Sequence, residues 1–242
     1  MKVALHVAVS GLLAMRNRLD SIATNVANMT TPGYRADGSR FAALVSRQQP
    51  SAVSFVSSAE TYITRAPGAL KSTGNPLDVA LQGDVWMALQ TPSGTIYTRD
   101  GRMRMLPTGE LVSVSGYPVL DVGGAPISLK PNGGRVQIAR DGMITQGGRQ
   151  LGAIGLFRIP EQADLKRAGN SGVIPGREPE PVVDFSRAGV LQGFVEEANV
   201  NGALEMTRLI ETGNSYRQLS AAMQDNERTA LEAIRILGGS QS

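Results

Sequence analysis

Residues 5–29 read LHVAVSGLLAMRNRLDSIATNVANM, and their spacing decides the architecture at this end of the chain. Leu5, Leu12, Leu19 and Val26 recur every seven residues. Ala8, Met15, Ile22 and Met29 follow three places behind, completing the a/d seam of an amphipathic helix. The far end repeats the interval with Leu209, Tyr216, Met223, Ala230 and Leu237, but Met206, Gly213, Ser220, Glu227 and Ile234 complete that seam only in part. A helix with one apolar stripe is marginal alone and needs a partner. Two readings follow: the helical core of one ordinary domain, or an antiparallel or bundled layer built from both termini that packs against copies of itself.

The first helix should end near Asn28, because Thr30 and Thr31 are poor helix formers, Pro32 pushes Thr31 out of the helical region, and Gly33 supplies a turn. From Ala36 to Asn75 no periodicity lasts. SRFAAL and AVSFV are short candidate segments in what otherwise reads as a linker. Strand signals start at Leu77 with LDVAL and VWMAL. They continue at 95–98, 103–105, 111–114, 118–120, 127–129, 136–138 and 151–157, separated by Gly-Asp, Asn-Gly, Gly-Gly and Asp-Gly turns. The expected core is Val79, Leu81, Val85, Met87, Leu89, Val112, Leu120, Ile138, Ile154 and Leu156. Trp86 falls out of phase with Val85 and Met87 and should cap an end of the core or face a neighbour. After a polar, Gly/Pro-broken stretch from Pro160 to Pro181, strands near 182–185 and 190–195 lead to a last helix capped by Asn199 or Asn201.

The fold class is therefore α+β, with long terminal helices forming a coiled-coil-like layer and an inserted all-β, barrel-like domain. The expected divisions are 1–34 for the first helix, 35–75 for an extended linker, 76–195 for the β domain and 196–242 for the last helix.

Composition narrows the function. Of 242 residues, 41% are hydrophobic and 19% charged, enough for a proper core, and the formal charge of +3 is small for a protein that must neutralise many phosphates. The absence of cysteine excludes disulfides, thiolate nucleophiles and zinc–thiolate sites. Val3–Met15 has the apolar character of a secretory signal, but its heptad runs on through Arg16, Arg18 and Asp20, so it reads as mature helix. His6, the only histidine, has no second ligand nearby and suits packing or surface. Asp78, Asp84, Asp100, Asp121 and Asp141 each border a turn, and no DxDxDG spacing, phosphate-binding glycine loop or GxSxG elbow occurs. No catalytic constellation, cofactor site or metal site emerges.

Four blocks carry a resemblance. SGLLAMRNRLDSIATNVANMTTPGYR (10–35), GNPLDVALQGDVWMALQTPSG (74–94), YTRDGRMRMLPTGELVSVSGYPVL (97–120) and GFVEEANVNGALEMTRLIETGNSYR (193–217) together resemble the bacterial flagellar rod and hook family. The informative residues are Leu19, Ile22, Ala23, Asn25, Ala27, Asn28, Thr31, Pro32, Gly33 and Tyr34, with Asn199 and Asn201 in the last block. Val85-Trp86-Met87 departs from the pattern, which usually has glycine before paired aromatic residues. The resemblance implies a structural subunit, with length and β content closest to the proximal-rod members. It also implies export through the flagellar type III apparatus without a cleaved signal, and assembly in the periplasm with other rod subunits and the distal-rod protein. No nucleic acid or small-molecule substrate is implied. Leu5, Leu12, Leu19, Ile22, Val26, Leu209, Tyr216, Met223 and Leu237 would form the assembly interface. A distal-rod subunit of the same family and a secreted β-domain cell-wall-binding module are the competing readings.

Overall fold

The structure is a computed structural model that describes residues 2–40, 43–46, 53–56 and 60–238, with side chains at 9–40, 61–225, 228–229, 231–232 and 235. Both heptad stretches are helices, α1 at Lys2–Ala27 and α2 at Gly202–Gly238. Asn201 caps α2: its side-chain oxygen accepts from the Leu204 amide at 3.1 Å, and Glu205 sits in the first turn, where the helix dipole favours a carboxylate. The chain divides into two compact units. One is drawn from Met1–Ala27, Asp37–Tyr62 and Asn201–Ser242, the other from Asn28–Ala36 and Ile63–Val200.

In the first unit α1 and α2 are paired. Gly11 lies against Leu219, and two heptads later Asn25 reaches Glu205, two heptads earlier in α2, so the helices run antiparallel. Ala14, Ser21, Ile22 and Asn25 are buried on α1, while Glu205 and Thr212 are buried on α2. The inward companions of Leu209, Tyr216 and Met223 are Glu205, Thr212 and Leu219, four places before rather than three, and Met206 is exposed. Polar side chains occupy those buried positions, which is why an apolar search passes over them. The segment between the helices is not featureless. Asp37–Arg40 pairs with Glu60–Ile63, and Ala43–Ser46 pairs antiparallel with Val53–Val56.

The second unit is built on a six-stranded sheet in the order Leu165–Ala168, Gly172–Pro175, Gly94–Thr98, Trp86–Thr91, Leu156–Arg158, Glu180–Pro181. Smaller sheets surround it. Val79–Gln82 pairs with Gly189–Gln192, Leu70–Ser72 with Phe194–Glu196, and Met103–Met105 with Leu111–Ser113, while Val136–Ile138, Met143–Gln146 and Arg149–Ala153 form a three-stranded sheet. The barrel-like closure expected from the sequence is not found: no sheet closes on itself among the described residues. One edge of the large sheet is a two-residue strand ending in Pro181, which has no N–H to extend the ladder, and the other carries exposed Lys166. Expected strands at 118–120 and 127–129 are single bridges, whereas Leu165–Ala168 and Gly172–Pro175 form a hairpin within the stretch read as broken and polar.

Both faces of the large sheet are covered. Val85, Met87, Leu89 and Leu156 belong to the main core with Val79, Leu81, Ile138 and Ile154. On the other face Trp86 packs with Ile63, Ile159, Ala163 and Val173, and Ala88 packs with Leu120 and Phe157. Trp86 is thus a second core, and VWMAL reads as an unbroken apolar run because neither side meets water. We expect Trp86→Ala to cost about 3–5 kcal/mol in chemical denaturation and Leu156→Ala about 2–5. Val183→Ser, at a residue 90% exposed, should change stability by less than about 0.5 kcal/mol.

Candidate functional site

After α1 the chain makes a tight turn in which the Thr31 amide donates to Asn28 O at 2.9 Å and the Tyr34 amide to Thr31 O at 3.2 Å. Gly33 has φ of 70°, and a side chain there would collide with the Arg99–Asp100 backbone, so the position needs glycine for two reasons. Its amide donates to Glu196 O at 2.7 Å. Tyr34 is wholly buried, with the Arg167 guanidinium 4.4 Å from its ring centroid. The turn is thereby fastened within the β unit.

The fastening centres on Glu196. One carboxylate oxygen accepts from Arg35 Nη2 at 2.8 Å and from the Gly68 amide at 2.8 Å, and the other accepts from Arg99 Nε at 2.6 Å. Side-chain exposure is 4%, 1% and 2% for Arg35, Arg99 and Glu196. Arg99 spends its remaining donors on carbonyls, giving Nη1 to Gly83 O at 2.8 Å and Val85 O at 2.5 Å and Nη2 to Leu81 O at 2.6 Å. Its guanidinium also lies 5.9 Å from the Trp86 ring centroid. Arg35 Nη1 donates to Ala66 O. Burial, and then the Arg99 charge, pull the Arg35 guanidinium down to about 10, with Glu196 opposing both. It therefore stays charged at neutral pH, and two cations share one anion.

Asn199 completes the knot. It accepts from the Ala36 amide at 2.7 Å, donates to Ala66 O at 2.7 Å and gives its own amide to Tyr34 O at 3.4 Å. Residues 33–36, 66–68 and 196–199 are thereby tied side by side within the β unit. Such a site holds chain segments in place. Among the described residues no group of three or more His, Cys, Asp or Glu could hold a metal.

Of the residues singled out from sequence, Gly33, Tyr34 and Asn199 meet in this knot, and Thr31 and Asn28 shape its turn, with Pro32 between them. Ala27 ends α1 and Asn201 caps α2. Asn25 lies on the inner side of α1. Ile22 is buried there, while Leu12, Leu19, Val26, Leu209, Tyr216 and Met223 are half-buried. The side chains of Leu5, His6 and Leu237 lie outside the described residues. Sequence reasoning missed Arg35, Arg99 and Glu196, although all three stand inside the matching blocks. A charge beside a strand gave no sign of being buried.

The descriptions of three family models match along the chain: "Flagella basal body rod protein" at 5–35, "Flagellar hook protein FlgE/F/G D1 domain" at 80–146, and "Flagellar basal body rod FlgEFG protein C-terminal" at 191–236. The flagellar basal-body rod protein FlgF of Mesorhizobium japonicum is 48% identical over 98% of this chain and 99% of its own. The chain belongs to the flagellar basal-body rod protein family. The Rhizobium meliloti rod protein FlgF is 43% identical over the full length of both chains, and the Bacillus subtilis rod protein FlgG is 26% identical over 96% and 98%. The rod-protein models cover the two helical ends, and the knot joins the end of the first match to the second.

Glu196→Gln leaves two buried guanidinium groups without their anion and should cost about 3–5 kcal/mol in denaturant unfolding. The neighbouring Glu197 pairs with Lys71 in the open, where Lys71 is 66% exposed, so Glu197→Gln should cost less than about 1 kcal/mol.

Proposed function

We propose that the protein is a structural, non-catalytic subunit of the proximal rod of the flagellar basal body, assembling helically with other rod subunits to carry torque towards the distal rod and hook. The observation that carries this reading is the full-length similarity to rod proteins named FlgF, two of them 43% and 48% identical, whereas the FlgG relatives stand at 26–28%. Partners would include the distal-rod protein and the type III export apparatus, and the subunit would work in the periplasm. In this reading the subunit is exported without a cleaved signal, and Val3–Met15 stays as part of the helix Lys2–Ala27.

Assembly would use the helices. Their pairing leaves large apolar side chains in water, among them Leu13, Leu204, Met206, Ile210 and Leu231. The half-buried seam residues, Leu12, Leu19, Val26, Leu209, Tyr216 and Met223, would share this surface. Contacts of this kind between unlike surfaces of identical subunits generate helical filaments when they do not close a ring. Burying them in neighbours would recover the hydrophobic free energy that the single subunit leaves unused.

Ile210 is 65% exposed, so a charge there leaves the single chain intact but must be desolvated on assembly. Ile210→Glu should fold with the stability of the parent and be nearly absent from purified basal bodies, while exposed Gln218→Glu should incorporate normally. Incorporation of Ile210→Glu at the parental level would refute the helix-mediated assembly.

A further inference from the structure

The helix pair has a weakness that follows from its own regularity. Leu209, Tyr216 and Met223 repeat every seven residues along α2, and Leu12 and Leu19 do so along α1, so sliding one helix past the other by a heptad again sets apolar residues against apolar residues. Hydrophobic burial alone barely distinguishes these registers. The knot holds the chain that follows α1 beside the chain that precedes α2, and within the helix pair itself what distinguishes the registers is polar. Asn25 Nδ2 donates to Glu205 Oε2 at 3.4 Å, while Asn25 also accepts from the Asp37 amide at 2.8 Å and donates to Asp37 O at 2.9 Å. Glu205 in turn accepts from Arg208 Nη1 at 2.7 Å. Asn25 and Glu205 are 2% and 6% exposed, so each needs its partner.

From this arrangement we infer that Asn25 and Glu205 form a register pin, the pair of residues that selects one heptad alignment of α1 against α2. A slip by seven would set Asn25 opposite Thr212, whose hydroxyl ends short of where the Glu205 carboxylate reaches, and would leave Glu205 buried without Asn25. A slip the other way would set Asn25 beyond the start of α2, opposite residue 198. Asn25 is fixed to the backbone of Asp37 on both sides, so it cannot follow a sliding partner. The pin costs stability relative to an apolar pair and gives uniqueness in return.

The chain has no cysteine, so engineered disulfides report register directly. The full-length protein carrying Gly11→Cys is combined with Leu219→Cys for the observed register, or with Asn226→Cys for the register one heptad away. In the otherwise unchanged chain only the 11–219 link should form under mild oxidation. Adding Asn25→Leu and Glu205→Leu should let the 11–226 link appear beside the 11–219 link, while Glu205→Gln, which keeps an acceptor for Asn25, should retain the single link. A leucine variant that still forms only the 11–219 link overturns the pin, and so does failure of that link in the parent. The readout needs only the isolated chain, so it stands apart from whether the rod assembles.

Discussion

One carboxylate lies between two buried guanidinium groups, and the arrangement of the β unit depends on it. Removing a charge from water costs several kcal/mol, and Arg35, Arg99 and Glu196 offset that cost only because nearly every polar atom has a partner. Hydrophobic burial could hold the β strands without them. What burial cannot do alone is fix where residues 33–36 and 196–199 enter and leave, since apart from Tyr34 these segments have little apolar surface to bury. Ionic and backbone hydrogen bonds set that geometry instead, at Gly33, Gly68, Ala66 and Ala36.

This explains how one chain serves two purposes. The chain passes between its units at 27/28, 36/37, 62/63 and 200/201. Residues within a few positions of each passage are tied into the Glu196 knot or into the Asn25–Asp37–Glu205 cluster. Within each unit the bonds are directional, and directional bonds resist sliding better than nonpolar contacts do. The helices need the opposite property on their outer faces, apolar side chains left in water until a neighbour covers them.

Much of this was legible in the sequence. The heptads at 5–29 and 209–237 gave both helices, and Pro32-Gly33 gave the end of the first. Alternation with glycine turns gave most strands of the β unit. The failures share a cause. The barrel was inferred from strand number, but closure depends on edge pairing, and Pro181 and the shortness of Glu180–Pro181 prevent it. The place of Trp86 stayed open because period-two reasoning allows one buried face, whereas this sheet has two. The inner line of α2 was read through Met206 because apolar residues are sought in cores, yet Glu205 and Thr212 are the buried ones. Polar groups become legible as core only when their partners, far away in sequence, are known. Glu196 finds Arg35 and Arg99 across more than ninety residues, and no local pattern announces it.

The central claim is that this chain is built into the rod as a structural segment between its inner and distal parts. Electron microscopy of basal bodies from cells lacking the gene tests it most directly. The account predicts basal bodies that retain their membrane-embedded parts but lack the distal rod and hook, with both restored by the intact gene. Complete rods carrying hooks in the deletion strain would contradict it.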